Sequence, residues 1–334
     1  MKWALIGAST IAAQHMIGAF RAQDGGEVVR VVSGSADRAA AYAGEHGIPG
    51  SGSDLAEALA DPEVDAVYIS STNEKHHAQA LAAIGAGKHV LCEKPLAMSV
   101  GDAVEMVRAA EDAGLVFATN HHLRCSGSHR AVRTLIEDGR IGRVLSARIH
   151  HAVHLPANLQ GWRINAAEAG GGVIPDITVH DADVARFLLG EDPETVAAQM
   201  GASGMGQGVE DSAMSVWTMP SGAMVMAHES FTHPFAGSGL EVHGTEGSVF
   251  ARGVMTQRPV GEIELVTKAG REPVPFPDHG LYGQGVRQFV DAVAGKGTPA
   301  ATGWDGVKSL AVALAVRDSA RTGARVTVDY GGAA

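Results

Sequence analysis

The sequence predicts two domains of different class: an α/β domain with a parallel sheet over 1–120, and a domain with a mostly antiparallel sheet over 121–334. Three observations lead there. Up to about residue 119, short Val/Ile-rich runs alternate with helical patterns, as expected of βα units crossing right-handedly over a buried parallel sheet. After Asn120 the apolar runs lengthen, alternate with polar residues and are punctuated by turns such as Pro220-Ser221-Gly222 and Gly244-Thr245-Glu246-Gly247, which suits hairpins and meanders. A length of 334 residues also fits two domains of ordinary size.

In order, the first domain has expected strands at 3–6, 28–32, 66–69, 89–91 and 116–118. Helical patterns lie at 11–21, 36–46, 54–59, 76–86 and 100–113. Ser53 and Ser99 stand at N-cap positions, and Gly47 and Gly114 stand where helices should stop. In the second domain a helix is expected at 128–138, with strands at 144–153, 195–201, 213–219, 223–231 and 240–243. An amphipathic helix is expected at 176–189, two late helices at 282–294 and 304–321, and a last strand at 326–328. The final long helix could pack back on the first domain, so the two domains need not be independent.

Composition narrows the function. A net charge of -11 argues against nucleic acid and anionic membranes as partners and favours a small molecule. The 2 cysteines, Cys92 and Cys125, provide no disulfide framework and no four-cysteine zinc site. The first apolar run is too short for a signal peptide, and no apolar run is long enough to span a bilayer. A cytoplasmic protein is expected, either monomer or homodimer.

The first candidate site is "GASTIA", where strand one meets helix one. A tight turn opening a helix offers N–H groups and the positive end of the helix dipole to a pyrophosphate. The usual G-x-G-x-x-G/A pattern is reduced here to Gly7, Ser9 and Ala12. Gly7 suits the turn, Ser9 is small and brings a hydroxyl able to donate to a phosphate, and Ala12 is an accepted third residue. The strand "EVVRVV" then ends in Ser33-Gly34-Ser35 with Arg38 following, and no carboxylate stands at its tip. That favours the 2′-phosphate of NADP(H) over the bare ribose of NAD(H). An ordinary βα turn with a solvated helix start is the bland alternative.

The second candidate site joins Glu93-Lys94-Pro95, after the fourth strand, to "AGGGVIPDITVHDADVARFLLG". A lysine at the carboxyl end of a parallel strand can donate to a carbonyl oxygen as it becomes an alkoxide. Asp176 and His180 are one helical turn apart, and Asp183 is another near neighbour of the histidine. Histidine is the usual proton donor near neutral pH, oriented by a carboxylate. A capping aspartate with a half-buried histidine is the alternative. Of 16 histidines, the groups His76-His77, His121-His122 and His150-His151-x-x-His154 invite a metal. Doublets point to opposite sides of a strand and no HExxH or Cys/His spacing occurs, so no metal is expected.

At "CEKPLA" and "GGGVIPDITVHDAD" the sequence resembles the Gfo/Idh/MocA family of NAD(P)-dependent oxidoreductases, and the resemblance runs over nearly the whole chain. "LIGASTIA", "TNHHLR", "LQGWR", "LEVHGTEGS", "VMTQRPVG" and "ATGWDGV" carry it further. The resemblance implies an α/β Rossmann domain plus a C-terminal α+β domain with an open, mostly antiparallel sheet. It implies NADPH-dependent reduction of a sugar ketone, 1,5-anhydro-D-fructose, to 1,5-anhydro-D-mannitol. The alternatives are another sugar or inositol dehydrogenase of the family, or a non-enzymatic NADP(H)-binding regulator. Implied cofactor contacts are Gly7, Ser9, Thr10, Ile11, Ala12, Ser33, Gly34, Arg38, Ser71, Thr72, Asn73, His76, Glu93, Lys94, Asn120, Trp162, Arg163 and Tyr282. Implied substrate contacts are Lys94, His151, Trp162, Arg163, Asp176 and His180, with Lys94 and His180 as the catalytic pair and Asp176 assisting. The chain departs from the family pattern at Thr178, where many relatives have glycine, and at Pro175.

Overall fold

The computed structural model describes residues 1–333. The chain divides into two compact units, one of 1–122 with 282–307 and one of 123–281 with 308–334. The first unit therefore takes in residues 282–307, which a division at residue 120 assigns to the second.

The first unit is built on a parallel sheet. Its strands are β1 (Lys2–Ile6), β2 (Glu27–Val32), β3 (Gly50–Gly52), β4 (Ala66–Ile69), β5 (His89–Cys92) and β6 (Phe117–Thr119), in spatial order β3-β2-β1-β4-β5-β6. That order reverses direction between β1 and β4, the place where doubly wound sheets open a crevice at their carboxyl ends. Ala12–Met16 forms a π-helical stretch that runs on as α1 (Ile17–Arg21). It is followed by α2 (Ala36–His46), α3 (Leu55–Leu59), α4 (His76–Gly85) and α5 (Val100–Asp112). Every residue of β4 is buried, as a central strand covered on both faces requires. Under α1 the core is aromatic: Trp3 stacks on Phe20 with centroids 4.2 Å apart and meets Phe289 at 5.2 Å.

Local chemistry sets the helix ends. The Ser99 hydroxyl accepts from Asp102 N–H and caps α5. For α3 the cap is Asp54, whose carboxylate takes the N–H groups of Ala56 and Glu57, and not Ser53 as the sequence predicts. Gly47 ends α2 at φ 62°, a conformation open to glycine at little cost. β3 was not expected; its sequence is Gly-Ser-Gly and lacks any apolar signal.

The second unit contains α6 (Gly127–Glu137), β7 (Val144–Ala152), α7 (Ala157–Gln160) and a π-helical stretch Ile174–Thr178 that continues as α8 (Val179–Leu189). Next come β8 (Thr195–Gly201), β9 (Ser212–Thr218), β10 (Met224–Ser230), β11 (Ser238–Gly244), β12 (Gly247–Arg252), β13 (Glu262–Thr267) and β14 (Gly270–Pro273). The chain closes with α9 (Leu281–Val293), α10 (Gly303–Thr322) and β15 (Val326–Thr327). The nine-stranded sheet has the order β14-β13-β12-β11-β7-β10-β9-β8-β15 among the described residues. β7 and β10 pair in parallel and the other neighbours are antiparallel. Strict alternation gives the sheet one wet and one dry face. Trp217, Val225 and Ala227 are buried, whereas Met214, Val216, Met224 and Met226 on the same two strands are exposed. β12 to β14, missed in the sequence, extend the sheet by hairpins on one side.

The dry face is covered by α8, which packs on β7 and on α6. Its position is fixed by a buried ion pair. Asp183, 1% exposed, accepts from Arg124 Nε and Nη2, both at 2.8 Å. Arg186 lies 3.8 Å from the same carboxylate, and Ser309 of α10 donates to it at 3.2 Å. Removing one partner of such a pair leaves a charge in a dry site. Arg124→Met is expected to destabilise the protein by about 3 kcal/mol, measured as a lower urea midpoint. A change within error would show that Arg186 and Ser309 suffice.

Candidate active site

The first unit shapes a phosphate-sized turn. Gly7 donates from its N–H to Val32 O at 2.9 Å and sits at φ 122°. A Cβ there would lie 2.8 Å from Ser70 carbonyl carbon. Only glycine lets the ends of β1 and β4 approach so closely. Ser9 is engaged on both sides: its hydroxyl accepts from Ala12 N–H at 3.2 Å and donates to Ser70 Oγ at 2.7 Å. The expected free donor to a phosphate is thus a helix cap whose proton goes to Ser70. The serine replaces the second glycine of the usual fingerprint by bracing the turn.

Two residues of α2 hold the turn from the far side. Arg38 Nη2 donates to Ala8 O at 2.9 Å, and the Tyr42 hydroxyl donates to Ser9 O at 2.9 Å. Burial pushes the Tyr42 hydroxyl up to about 12, so it remains a donor. Arg38 is therefore fixed at the mouth of the turn. A Cβ at Gly34 would meet nothing within 4 Å, so the β2 tip is open. Tyr42 had no motif to mark it in the sequence.

The remaining cofactor candidates of this unit line the strand ends. Glu93 accepts from the Tyr68 hydroxyl at 2.5 Å and from Asn120 Nδ2 at 2.6 Å. Burial holds the Tyr68 phenol well above its ordinary value, keeping it protonated as the donor. The His76 ring spans Pro95 O at 2.9 Å and Ser71 O at 3.2 Å, which ties the 71–76 loop to the segment bearing Lys94. Burial lowers the His76 pKa, favouring the neutral ring. The Lys94–Pro95 peptide is cis. Ser71 donates to Gln79 Oε1 and Thr72 to Glu74 Oε1, both at 2.7 Å, and Asn73 opens a short 3-10 turn. Tyr282 stacks between His15 at 4.5 Å and His122 at 5.0 Å.

The second unit presents the other set. Gly170-Gly171-Gly172 is the close approach that the sequence suggests. A Cβ on Gly171 would lie 2.6 Å from Trp162 O, and one on Gly172, at φ 115°, would lie 2.3 Å from Glu210 Oε1. Glu210 in turn accepts from Ile174 N–H at 3.2 Å and starts the helical stretch. That stretch is π-helical at Ile174–Thr178, with Val179 N–H donating to Ile174 O, and not the regular α-turn expected. Such widened turns recur at functional sites. Asp176 accepts from Arg163 Nε at 3.3 Å, and the Arg163 guanidinium lies 4.7 Å over the Trp162 ring. Asp176 is therefore part of an Arg163–Trp162 cluster as well as a neighbour in sequence of His180. Asp183, expected beside His180, is committed to Arg124, Arg186 and Ser309.

His180 is 8% exposed, and its ring lies 6.5 Å from that of His151. His151 Nδ1 is 3.2 Å from Asp181 Oδ1, and Asp181 is wholly buried. Asp181 was absent from the sequence reading; its position beside His180 in the chain gave no sign that it turns toward β7. Among the described residues no three His, Cys, Asp or Glu side chains are grouped to hold a metal ion, and no helix is long and apolar enough to cross a membrane.

A parallel sheet with a glycine turn at the end of β1, and a second unit with a mostly antiparallel sheet, are the two parts of a nucleotide-dependent oxidoreductase. Residues 1–121 match the oxidoreductase family with an NAD-binding Rossmann fold, and residues 129–250 match the GFO/IDH/MocA C-terminal domain. The chain belongs to the Gfo/Idh/MocA family of oxidoreductases. It is 54% identical over 331 residues, 99% of both chains, to the 1,5-anhydro-D-fructose reductase of Ensifer adhaerens. It is 30% identical to the inositol 2-dehydrogenase of Rhizobium meliloti strain 1021, over 96% of this chain and 97% of that one. The aldose-aldose oxidoreductase of Caulobacter crescentus, solved with glycerol, superposes with a TM-score of 0.89 at 26% identity, covering 98% of this chain and 99% of that one.

Because Gly7 has no room for a side chain, Gly7→Ala is expected to weaken dinucleotide binding about tenfold, the equivalent of 1–2 kcal/mol of backbone strain. Quenching of tryptophan fluorescence by NAD(P)H measures it; unchanged affinity would show that the turn is not the pyrophosphate site.

Proposed function

We propose that this protein is an NADPH-dependent reductase of 1,5-anhydro-D-fructose that forms 1,5-anhydro-D-mannitol. The observation that carries the substrate is the likeness to the Ensifer adhaerens enzyme over the full length of both chains. The cofactor preference is supported by the β2 tip, where Ser33 and Gly34 bring no carboxylate and Arg38 is held by Ala8 O. A carboxylate at this tip would accept from a ribose hydroxyl, whereas a guanidinium pairs with a 2′-phosphate. The Gly7 turn, the start of the Ala12 helix and the open Gly34 position fit a dinucleotide. Gly7, Thr10, Ile11 and Ala12 would face its pyrophosphate. The 71–76 loop, Glu93, Lys94, Asn120, Trp162, Arg163 and Tyr282 would hold the remainder.

When bound, the nicotinamide supplies a hydride to the keto carbon. The chain supplies the rest. Lys94 Nζ donates to the carbonyl oxygen and stabilises negative charge as it grows there. His180 delivers the proton that converts the alkoxide to the alcohol, and solvent restores that proton. Asp176, fixed by Arg163, hydrogen-bonds the sugar and keeps the proton donor aligned. Trp162, with the Arg163 guanidinium on its ring, offers an apolar wall to the sugar face. His151 contacts a sugar hydroxyl.

A second reading is oxidation of a cyclic polyol, favoured by the likeness to the inositol 2-dehydrogenase. A panel of sugars and polyols, run in both directions with NADPH, NADP⁺, NADH and NAD⁺, separates the two. The expected result is reduction of 1,5-anhydro-D-fructose with NADPH preferred, and His180→Asn lowering kcat by roughly 10²-fold. Turnover of myo-inositol alone would establish the second reading. Near-normal turnover by His180→Asn would transfer proton donation to Lys94 or water.

A further inference from the structure

Behind His151 lies a pair of buried acids. Asp181 of α8 and Glu229 of β10 are both 0% exposed. Glu229 stands directly across the parallel pairing from His151 of β7, and the two carboxyl groups contact each other. Asp181 Oδ1 faces His151 Nδ1 at 3.2 Å. Its Oδ2 and both oxygens of Glu229 are buried. The Glu229 carboxyl is faced by its own backbone N–H and by the Thr178 hydroxyl.

Two ionised carboxylates in contact in a dry site would repel each other. One shared proton removes the repulsion, because a protonated carboxyl becomes a donor to its neighbour. The imidazole decides which acid keeps the charge. Asp181 is the acid that faces a ring nitrogen, so it is the better place for a negative charge, and Glu229 is left with the proton. Burial first, and the charge of Asp181 second, push the Glu229 carboxyl well above the usual carboxylate range.

We propose that Glu229 is neutral and donates to Asp181, that Asp181 is ionised and accepts from His151 Nδ1–H, and that this buried chain positions His151 with its Nε2 turned away from the acids. Glu229 and Asp181 are thus positioning residues, acting through His151. This rests on the reductase reading only in giving His151 a substrate to meet; the proton arrangement stands apart from it. The tautomer is fixed by the acid behind the ring, and Nε2 is left to accept from a sugar hydroxyl or, when charged, to donate to one.

The titratable groups around the chain are His150 and His151 of β7, His129 of α6, His180 of α8 and Glu241 of β11. Burial and the neighbouring His151 lower His129 to about 4, so it stays neutral above pH 5. Burial also lowers His150, opposed by Glu241 and Asp181.

The test compares wild type, Glu229→Gln and Asp181→Asn by nitrogen-15 NMR of the His151 ring. An amide mimics a neutral carboxyl, so Glu229→Gln should retain the Nδ1–H form of His151. Asp181→Asn should lose that tautomer preference. Loss of the Nδ1–H form in both variants would mean that both acids are charged, and its retention in Asp181→Asn would mean that Asp181 is neutral; either overturns the proposal. A stability comparison decides the point even where Asp181→Asn fails to fold. Glu229 must take up a proton on folding, so its raised pKa gives wild type stability that is present at low pH and lost as pH rises above the unfolded value. Against Glu229→Gln, the wild-type Tm should fall steadily from pH 5 to pH 8. A constant difference would show that Glu229 is ionised in the fold. Absence of turnover in wild type would count against the reductase reading and leave both measurements intact. Where turnover is present, Asp181→Asn should raise KM for the sugar more than it lowers kcat.

Discussion

The bidentate pair of Arg124 and Asp183 is the contact on which the second unit depends, because it fixes the helix that carries the proposed proton donor His180. α8 holds His180, Asp181 and Asp183 within one turn, all buried. A helix keeps that many ionisable groups out of water only when each finds its answer in place. Asp183 is met by Arg124 from one side and by Ser309 of α10 from another, so the helix can neither roll nor slide without stranding a charge. Asp181 then reaches β7 and β10, and His180 stands next to His151 at 6.5 Å. The glycines at 171 and 172 and the Glu210 carboxylate deliver the chain to the start of this helix along the one path their close contacts allow.

The first unit solves a similar problem with backbone rather than charge. A dinucleotide turn requires two strand ends and a helix start to meet within a few ångströms. Gly7 provides the approach, and Ser9 caps the helix and ties it to Ser70. A second glycine is not needed for tightness when the serine hydroxyl draws the turn onto β4. Arg38 and Tyr42 brace it from α2. The same arginine that is proposed to meet a 2′-phosphate thus also shapes the turn.

Much of this was legible in the sequence, for physical reasons. The buried parallel strand 66–69 announces itself by an uninterrupted apolar run, and helix 36–46 falls between its expected start and the Gly47 stop. Sheet strands with one wet face announce themselves by alternation, as in Thr195–Gly201. β3 is invisible because Gly-Ser-Gly carries no apolar signal and pairs only through its backbone. β14 escapes because Gly-Arg-Glu-Pro carries no apolar residue to mark a face, and β12 and β13 were missed although Glu262-Ile263-Glu264-Leu265 alternates. The π-helical turns at Ala12–Met16 and Ile174–Thr178 leave no mark in composition. Among site residues, motif and resemblance brought out Gly7, Arg38, Lys94, Asp176 and His180. Tyr42, Asp181 and Glu229 were missed, since each acts through a partner distant in sequence: Ser9, His151 and Asp181.

The proposed activity is hydride delivery to a sugar ketone, with Lys94 and His180 proposed to serve its oxygen. The most direct measurement is the fate of deuterium from NADPH carrying deuterium at both nicotinamide C4 positions, incubated with 1,5-anhydro-D-fructose and this protein. One deuterium carried on the new carbinol carbon of 1,5-anhydro-D-mannitol is the predicted result. A product without label, or no product when NADPH is consumed, would contradict it.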